Sequence, residues 1–392
     1  MNNYKLSVLG KCKNGLNFPK HTVVNPCKIV GIPDFANNVT PAVDTLGYVD
    51  MRYVSSEYLL KNNDILFVRS NGNKNLVGRT MIIENCNEPI TFSGFCIRFR
   101  PDTSLVDPYY LLYLLKSPMF REKFSKTHQT NINNINQDTI GNCSFDFISI
   151  DEQRRIANAV SILDKKISVN NRINAELERT ARTIYEYMFL QGERSGWQTD
   201  KLNTTSLCDL INTGVDRFDG EKIYLSTSEI SGEEITDHTI TIDYATRPSR
   251  ANMQPQMHSV WFAKMKNTVK HLLVNEGNTA LTTDYLLSTG FAGFKCKPNT
   301  VYYLWNYICG DYFEMQKDTL ATGATQQAIN DTDLASFSIL VPPQAELDRF
   351  TQIVEPYYRL INKNKFENKA LAEQRDFLLP LLMNGQVTVA IE

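Results

Sequence analysis

Arg69-Ser70-Asn71-Gly72-Asn73-Lys74-Asn75, closely followed by Gly78-Arg79-Thr80, places guanidinium, ammonium, amide and hydroxyl groups on one short polar stretch. Arginine and asparagine read guanine and adenine by paired hydrogen bonds in a major groove, and lysine and threonine suit phosphate oxygens. The chemistry on offer is recognition of nucleic acid; a plain polar turn is the other reading of the same residues. Lys264, Lys266, Lys270 and His271, with Trp261 nearby, take the corresponding place further along the chain. Gly323-Ala324-Thr325-Gln326-Gln327-Ala328-Ile329 is matched earlier by Gln129-Thr130-Asn131-Ile132-Asn133-Asn134-Ile135. Small hydroxyl and amide side chains just ahead of a helix or strand hold phosphate through the backbone, or else merely cap the element. The candidate contacts are Arg69, Ser70, Asn71, Lys74, Arg79, Lys264, Lys266, Lys270, Thr325, Gln326 and Gln327.

Catalysis has no comparable signature. The chain has no Gly-x-Gly-x-x-Gly or Gly-x-x-x-x-Gly-Lys phosphate loop and no His-Glu-x-x-His pair. An Asn/Asp-Pro-Pro-aromatic tetrapeptide of amino-methyltransferases is missing too. The five histidines are dispersed, and Cys296 and Cys309 have no histidine at metal-ligand spacing. No catalytic residue, metal site or cofactor of its own is expected. Eight scattered cysteines, with no apolar stretch after Met1-Asn2-Asn3-Tyr4-Lys5, lead to the expectation of a reduced, cytoplasmic protein.

Net charge is −2, which by itself disfavours a nucleic-acid partner. Its distribution is more informative. Residues 51–100 carry seven Lys/Arg against four Asp/Glu, and residues 251–300 carry five against two. The flanking window 201–250 is acidic, with nine acidic and five basic residues. Two local basic surfaces at matching places in the two halves fit these counts, although a solvated face gives the same surplus.

The elements that hold these groups come in duplicate. Asp107-Pro108-Tyr109-Tyr110-Leu111-Leu112-Tyr113-Leu114-Leu115 reappears, loosened, as Thr300-Val301-Tyr302-Tyr303-Leu304-Trp305-Asn306-Tyr307-Ile308, and Ile135-Asn136 as Ile329-Asn330. Asp107-Pro108 reads as a helix cap with proline at the first position. Gly47 to Val54 and Asp64 to Arg69 read as strands, with a turn at Ser70-Asn71-Gly72-Asn73. From Asp151, apolar residues at Ile156, Val160, Leu163, Ile167, Leu177, Ala181, Ile184 and Met188 alternate by four and three, with Asn170 and Asn174 in the seam. Such a helix is on the order of 50 Å long. The second half repeats the seam as Phe350, Val354, Tyr357, Ile361, Asn364, Asn368, Leu371, Arg375, Leu378 and Leu382. Arg375 breaks the pattern, and Pro356 is expected to kink the helix or restart it. Two asparagines at matching seam positions predict antiparallel pairing, with Asn170 near Asn368 and Asn174 near Asn364. The predicted domains are 1–150 and 196–342, with spacer helices at 151–192 and 343–385.

Taken in this order and duplicated, these stretches resemble the specificity subunit of type I restriction–modification systems over nearly the whole chain. The resemblance rests on Asp64 to Gly72 with Leu76 to Thr80, on Gly323 to Ile329, on Val341-Pro342-Pro343, on Asp151 to Ile156, and on Leu378 to Gly385. The first half departs from it in having Ile148-Ser149-Ile150 in place of Pro-Pro, and the second in having Leu347 where the first has Gln153. The implied fold is α+β, with two mixed α/β target-recognition domains related by pseudo-two-fold symmetry and separated by two long helices in an antiparallel coiled coil. The implied function is recognition of a bipartite asymmetric double-stranded DNA site, the spacer setting an unread gap of about one and a half duplex turns. Implied partners are two adenine methyltransferase subunits and motor-nuclease subunits, with S-adenosylmethionine and ATP/Mg bound by those partners. A protein scaffold that has lost DNA contact is the alternative.

Overall fold

The computed structural model describes residues 2–19, 22–35, 39–72, 76–117, 120, 134–191, 196–236, 239–323 and 327–389. The chain divides into two compact units, Met1–Ser168 with Asn368–Glu392, and Val169–Glu367. Each unit therefore owns one sheet-rich domain and a stretch of both long helices.

Within the first unit a four-stranded sheet runs in the order Gly10–Asn14, Cys96–Pro101, Ile65–Val68, Thr80–Ile82. In the second unit Cys208–Leu210, Phe291–Cys296, Ser259–Ala263 and His271–Val274 repeat that order, and all neighbours in both sheets are antiparallel. Even the register repeats: Ile65 faces Phe99, and Val260 faces Phe294 at a common offset of 195 residues.

The strand Ile65–Val68 is buried throughout. Side chains alternate across a sheet, so Ile65 and Phe67 join one core while Leu66 and Val68 join another. Val260 and Phe262, against Trp261 and Ala263, divide in the same way in the second unit. A continuous apolar run is thus a strand covered on both faces. Trp261 belongs to this core: it is fully buried and its Nε1 donates to Ser259 Oγ at 2.8 Å.

A second sheet places Pro26–Val30 between Gly47–Asp50 and Ile90–Phe92, the latter pairing being parallel. Glu221–Leu225 sits likewise between Ile240–Asp243 and Tyr285–Ser288, with Ala251–Met253 added at the edge. The first and last strands of each domain also pair, Asn2–Lys5 with Ser144–Phe147 and Gln198–Lys201 with Ser338–Val341. Domain closure thereby delivers the chain directly into a long helix.

The Asp107 carboxylate accepts from the Tyr109 and Tyr110 N–H groups at 3.0 and 2.9 Å, capping the helix Pro108–Lys116 as its sequence requires. The first long helix is Ile150–Tyr185, prolonged by π-helical turns over Glu186–Gln191. Near its start the buried Gln153 bonds the Asp107 N–H and the Ile148 carbonyl, at 3.0 and 2.9 Å. Leu347, its counterpart, is buried among apolar residues instead.

The second long helix is unbroken from Gln344 to Met383, so Pro356 does not restart it. It ends in a Schellman arrangement, with Gly385 at φ +69°, its N–H on the Leu382 carbonyl and the Gln386 N–H on the Leu381 carbonyl. The two helices run antiparallel, and polar contacts between them mark the pairing. In the second unit Asn364 donates to Asn174 Oδ1, and Asn170 donates to Glu367, both at 2.8 Å. In the first unit Arg375 Nη1 donates to Asp164 Oδ1 at 2.7 Å. Asn174 and Asn364 thus pair as the matching seam positions predict. The buried apolar run Phe350, Val354, Tyr358, Ile361 passes through Tyr358, one position beyond the expected Tyr357.

Candidate nucleic-acid interface

Arg69 and Lys264 leave equivalent strands and are held in the same way. The N–H of Arg69 donates to Phe95 O at 2.7 Å, and that of Lys264 to Gly290 O at 2.9 Å. Their carbonyls accept from Ile135 and Ile329, at 2.8 and 3.0 Å. Ser70 then bridges Asn134, just as Met265 bridges Ala328. Segments far apart in sequence therefore meet in each domain, Arg69-Ser70 with Asn134-Ile135 and Lys264-Met265 with Ala328-Ile329. Backbone pairing fixes where these side chains start and leaves their ends half-exposed. The Arg69 guanidinium is 3.5 Å from Gly94 O and Lys264 Nζ is 3.5 Å from Asp331, both long contacts that a phosphate or base can displace.

The remaining candidates divide. Asn71 and Arg79 are half-buried, Arg79 following Gly78, whose φ is +79°. Lys266 is half-buried and its N–H donates to the carbonyl of the exposed Gln327 at 2.9 Å. Lys270 points inward, its ammonium on the Thr227 carbonyl. His271 is buried and pairs with Glu314 at 2.9 Å. Lys74, Thr325, Gln326 and the stretch Gln129–Asn133 lie outside the described residues.

Sequence reasoning missed what lies beneath the second loop. Lys317, with no exposed surface, donates to the Thr268 carbonyl at 2.7 Å and pairs with Glu314 at 2.6 Å. Burial alone would raise the Glu314 carboxyl, but hydrogen bonds from His271 and Lys317 outweigh it and hold the group below its usual range. Asp318 accepts the N–H of Asn267 at 2.9 Å. Nothing in the sequence links Lys317 to residue 268, because the helix Asp311–Leu320 reaches the loop only through folding.

Burial pushes the Cys12, Cys96 and Cys208 thiols up to about 12, far above neutral pH. Among the described residues no three His, Cys, Asp or Glu side chains are placed to hold a metal ion, and no helix is long and apolar enough to cross a membrane.

Residues 2–179 match the family described as type I restriction modification DNA specificity domain. Over 365 residues the chain is 22% identical to a putative type I restriction enzyme MjaX specificity subunit of Methanocaldococcus jannaschii, covering 88% of this chain and 84% of that protein. Over most of its length the chain is thus similar to type I restriction–modification specificity subunits. It is likewise 22% identical to the type I restriction enzyme HindI specificity subunit of Haemophilus influenzae, with 84% of this chain and 87% of that protein covered. The type I restriction–modification S subunit of M. genitalium shares its fold at a TM-score of 0.55 and 14% identity, covering 100% and 96% of the two chains.

Proposed function

We propose that the chain is a type I restriction–modification specificity subunit that reads a bipartite asymmetric DNA site, one half-site with each domain. The paired helices act as spacer and docking site for two adenine methyltransferase subunits, and motor-nuclease subunits join that assembly. S-adenosylmethionine and ATP/Mg bind to those partners, in the cytoplasm. The reading is carried by the equivalence of Arg69 and Lys264: two domains of one topology present a cation at the same backbone position, followed by different residues, Ser70-Asn71-Gly72 in one and Met265-Lys266-Asn267 in the other. A common scaffold with diverged loops suits two different half-sites. The near-neutral net charge is accommodated if the methyltransferases supply most of the DNA clamp.

Coexpression with the methyltransferase and mapping of methylated adenines tests the proposal. A two-part motif is expected. Arg69→Ala should weaken or relax one part and Lys264→Ala the other, each removing roughly one phosphate or base contact from the salt dependence of binding. Sequence-independent binding by the assembled complex would leave a scaffold without a reading role.

A further inference from the structure

The connection between Ser259–Ala263 and His271–Val274 is fastened more firmly than an ordinary hairpin loop. Asn267 has φ +54°, a conformation that asparagine tolerates better than most side chains, and its N–H is held by Asp318. Next to it the Thr268 carbonyl is held by the buried Lys317, and the Thr268 hydroxyl donates to Lys266 O at 3.2 Å. Lys266 N–H is on Gln327 O, and the Lys270 ammonium is on Thr227 O. These bonds engage the backbone or point inward. Two side chains remain at the outside of the loop: Asn267, which is exposed, and Val269, at 58% exposure. Lys264 and Lys266 flank them.

An asparagine amide donates to and accepts from the major-groove edge of adenine in one plane, and a branched apolar side chain suits the thymine methyl. A loop already ordered before binding loses little entropy when it docks, so its side chains discriminate efficiently. We infer that Asn267 and Val269 are specificity-determining residues of the second domain, reading an adenine·thymine step in its half-site, while Lys317 and Asp318 are positioning residues that set their angle. This rests on the DNA-reading assignment above. The equivalent connection in the first domain carries Ser70, Asn71 and Gly72, so the two half-sites are read by different groups.

The test uses the full chain coexpressed with its methyltransferase, with methylated motifs mapped genome-wide and affinity measured on oligonucleotides varied at single positions. Asn267→Ala should relax one A·T position in one half-site, reducing discrimination there by roughly 5- to 150-fold, and leave the other half-site untouched. Val269→Ala should relax the adjoining position by a smaller factor. Lys317→Met should loosen both positions together, and Lys317→Arg should restore them in part, which a purely structural role at a distance would not do. Asn267→Gln, whose longer amide alters reach but not polarity, serves as second variant should the alanine form fail to assemble. A wild-type two-part motif that persists unchanged in the Asn267 and Val269 variants overturns this inference alone. A wild-type complex with no sequence-specific mark overturns the DNA-reading assignment itself.

Discussion

Cutting Arg375 back to methionine isolates a buried charge. Asp164 is 8% exposed and accepts two hydrogen bonds, from Arg375 Nη1 and from the Tyr113 hydroxyl, both at 2.7 Å. Burial, and then the neighbouring Asp164 charge, drive the Tyr113 phenol well above its ordinary value, which favours its role as a donor. Removing the cation leaves a carboxylate in the helix seam with only that phenol to solvate it. Breaking one side of a fully buried pair costs about 3–5 kcal/mol. The Arg375 side chain keeps 24% of its surface exposed, so water already screens the pair and about 2–3 kcal/mol is the better figure. Because the chain has two compact units, a local probe separates the first unit from the second. Native-state hydrogen exchange resolved to residues 150–168 and 368–383 measures the local effect. Amides there should exchange about 30- to 150-fold faster in Arg375→Met, from one decade per 1.4 kcal/mol. The triple change Tyr113→Phe, Asp164→Leu, Arg375→Met removes all three polar groups and should recover most of the loss, because replacing a whole buried pair is often neutral. Exchange within about threefold of wild type in the single variant, or a triple variant as labile as the single, would refute the argument that this network is a compensated buried charge.

Further tests address the second unit. Asn174→Leu strands the Asn364 amide in the seam and should cost about 1–3 kcal/mol, read by thermal denaturation, whereas pairing it with Asn364→Leu should return much of the stability. Gly293→Ala would place a methyl 2.4 Å from the ring of the fully buried Trp261, so a loss of at least about 1–3 kcal/mol in the same assay is expected. Glu233 gives a pH dependence. Burial, and then Glu178, raise its carboxyl to about 7, despite Lys365 at 3.8 Å. Its folded value lies above the unfolded one, so the folded state binds the extra proton, and stability from this group falls as pH rises from about 4.5 to about 7. Glu233→Gln should flatten that fall and raise the melting midpoint at pH 8; the effect is moderated by solvent reaching about a third of the side chain, 34% of which is exposed. A midpoint at pH 8 equal to or below wild type would contradict the assignment.

Duplication, seam and caps were legible from residue order because each depends on local periodicity. A strand buried on both faces must be apolar at every position, as Ile65–Val68 is, and a helix seam must recur by threes and fours. Asp107-Pro108 and Asn384-Gly385 announce helix ends because capping acts within one turn. Arg375 looked like a defect in the heptad pattern for the opposite reason: its partner Asp164 lies 211 residues away and carries no local mark of being buried.

By itself, then, the sequence determined two copies of one domain, each followed by a long amphipathic helix with a polar centre, and polar stretches suited to recognition. Only the tertiary structure decided that Arg69 and Lys264 are equivalent, that Lys270 and His271 turn inward, and that Lys317 and Asp318 grip the loop carrying Asn267. Periodicity reports which face of an element is covered, since burial of apolar area repeats with backbone geometry. Which polar groups are taken up by the fold and which remain for a partner depends on hydrogen bonds between segments far apart in the chain, and these have no period.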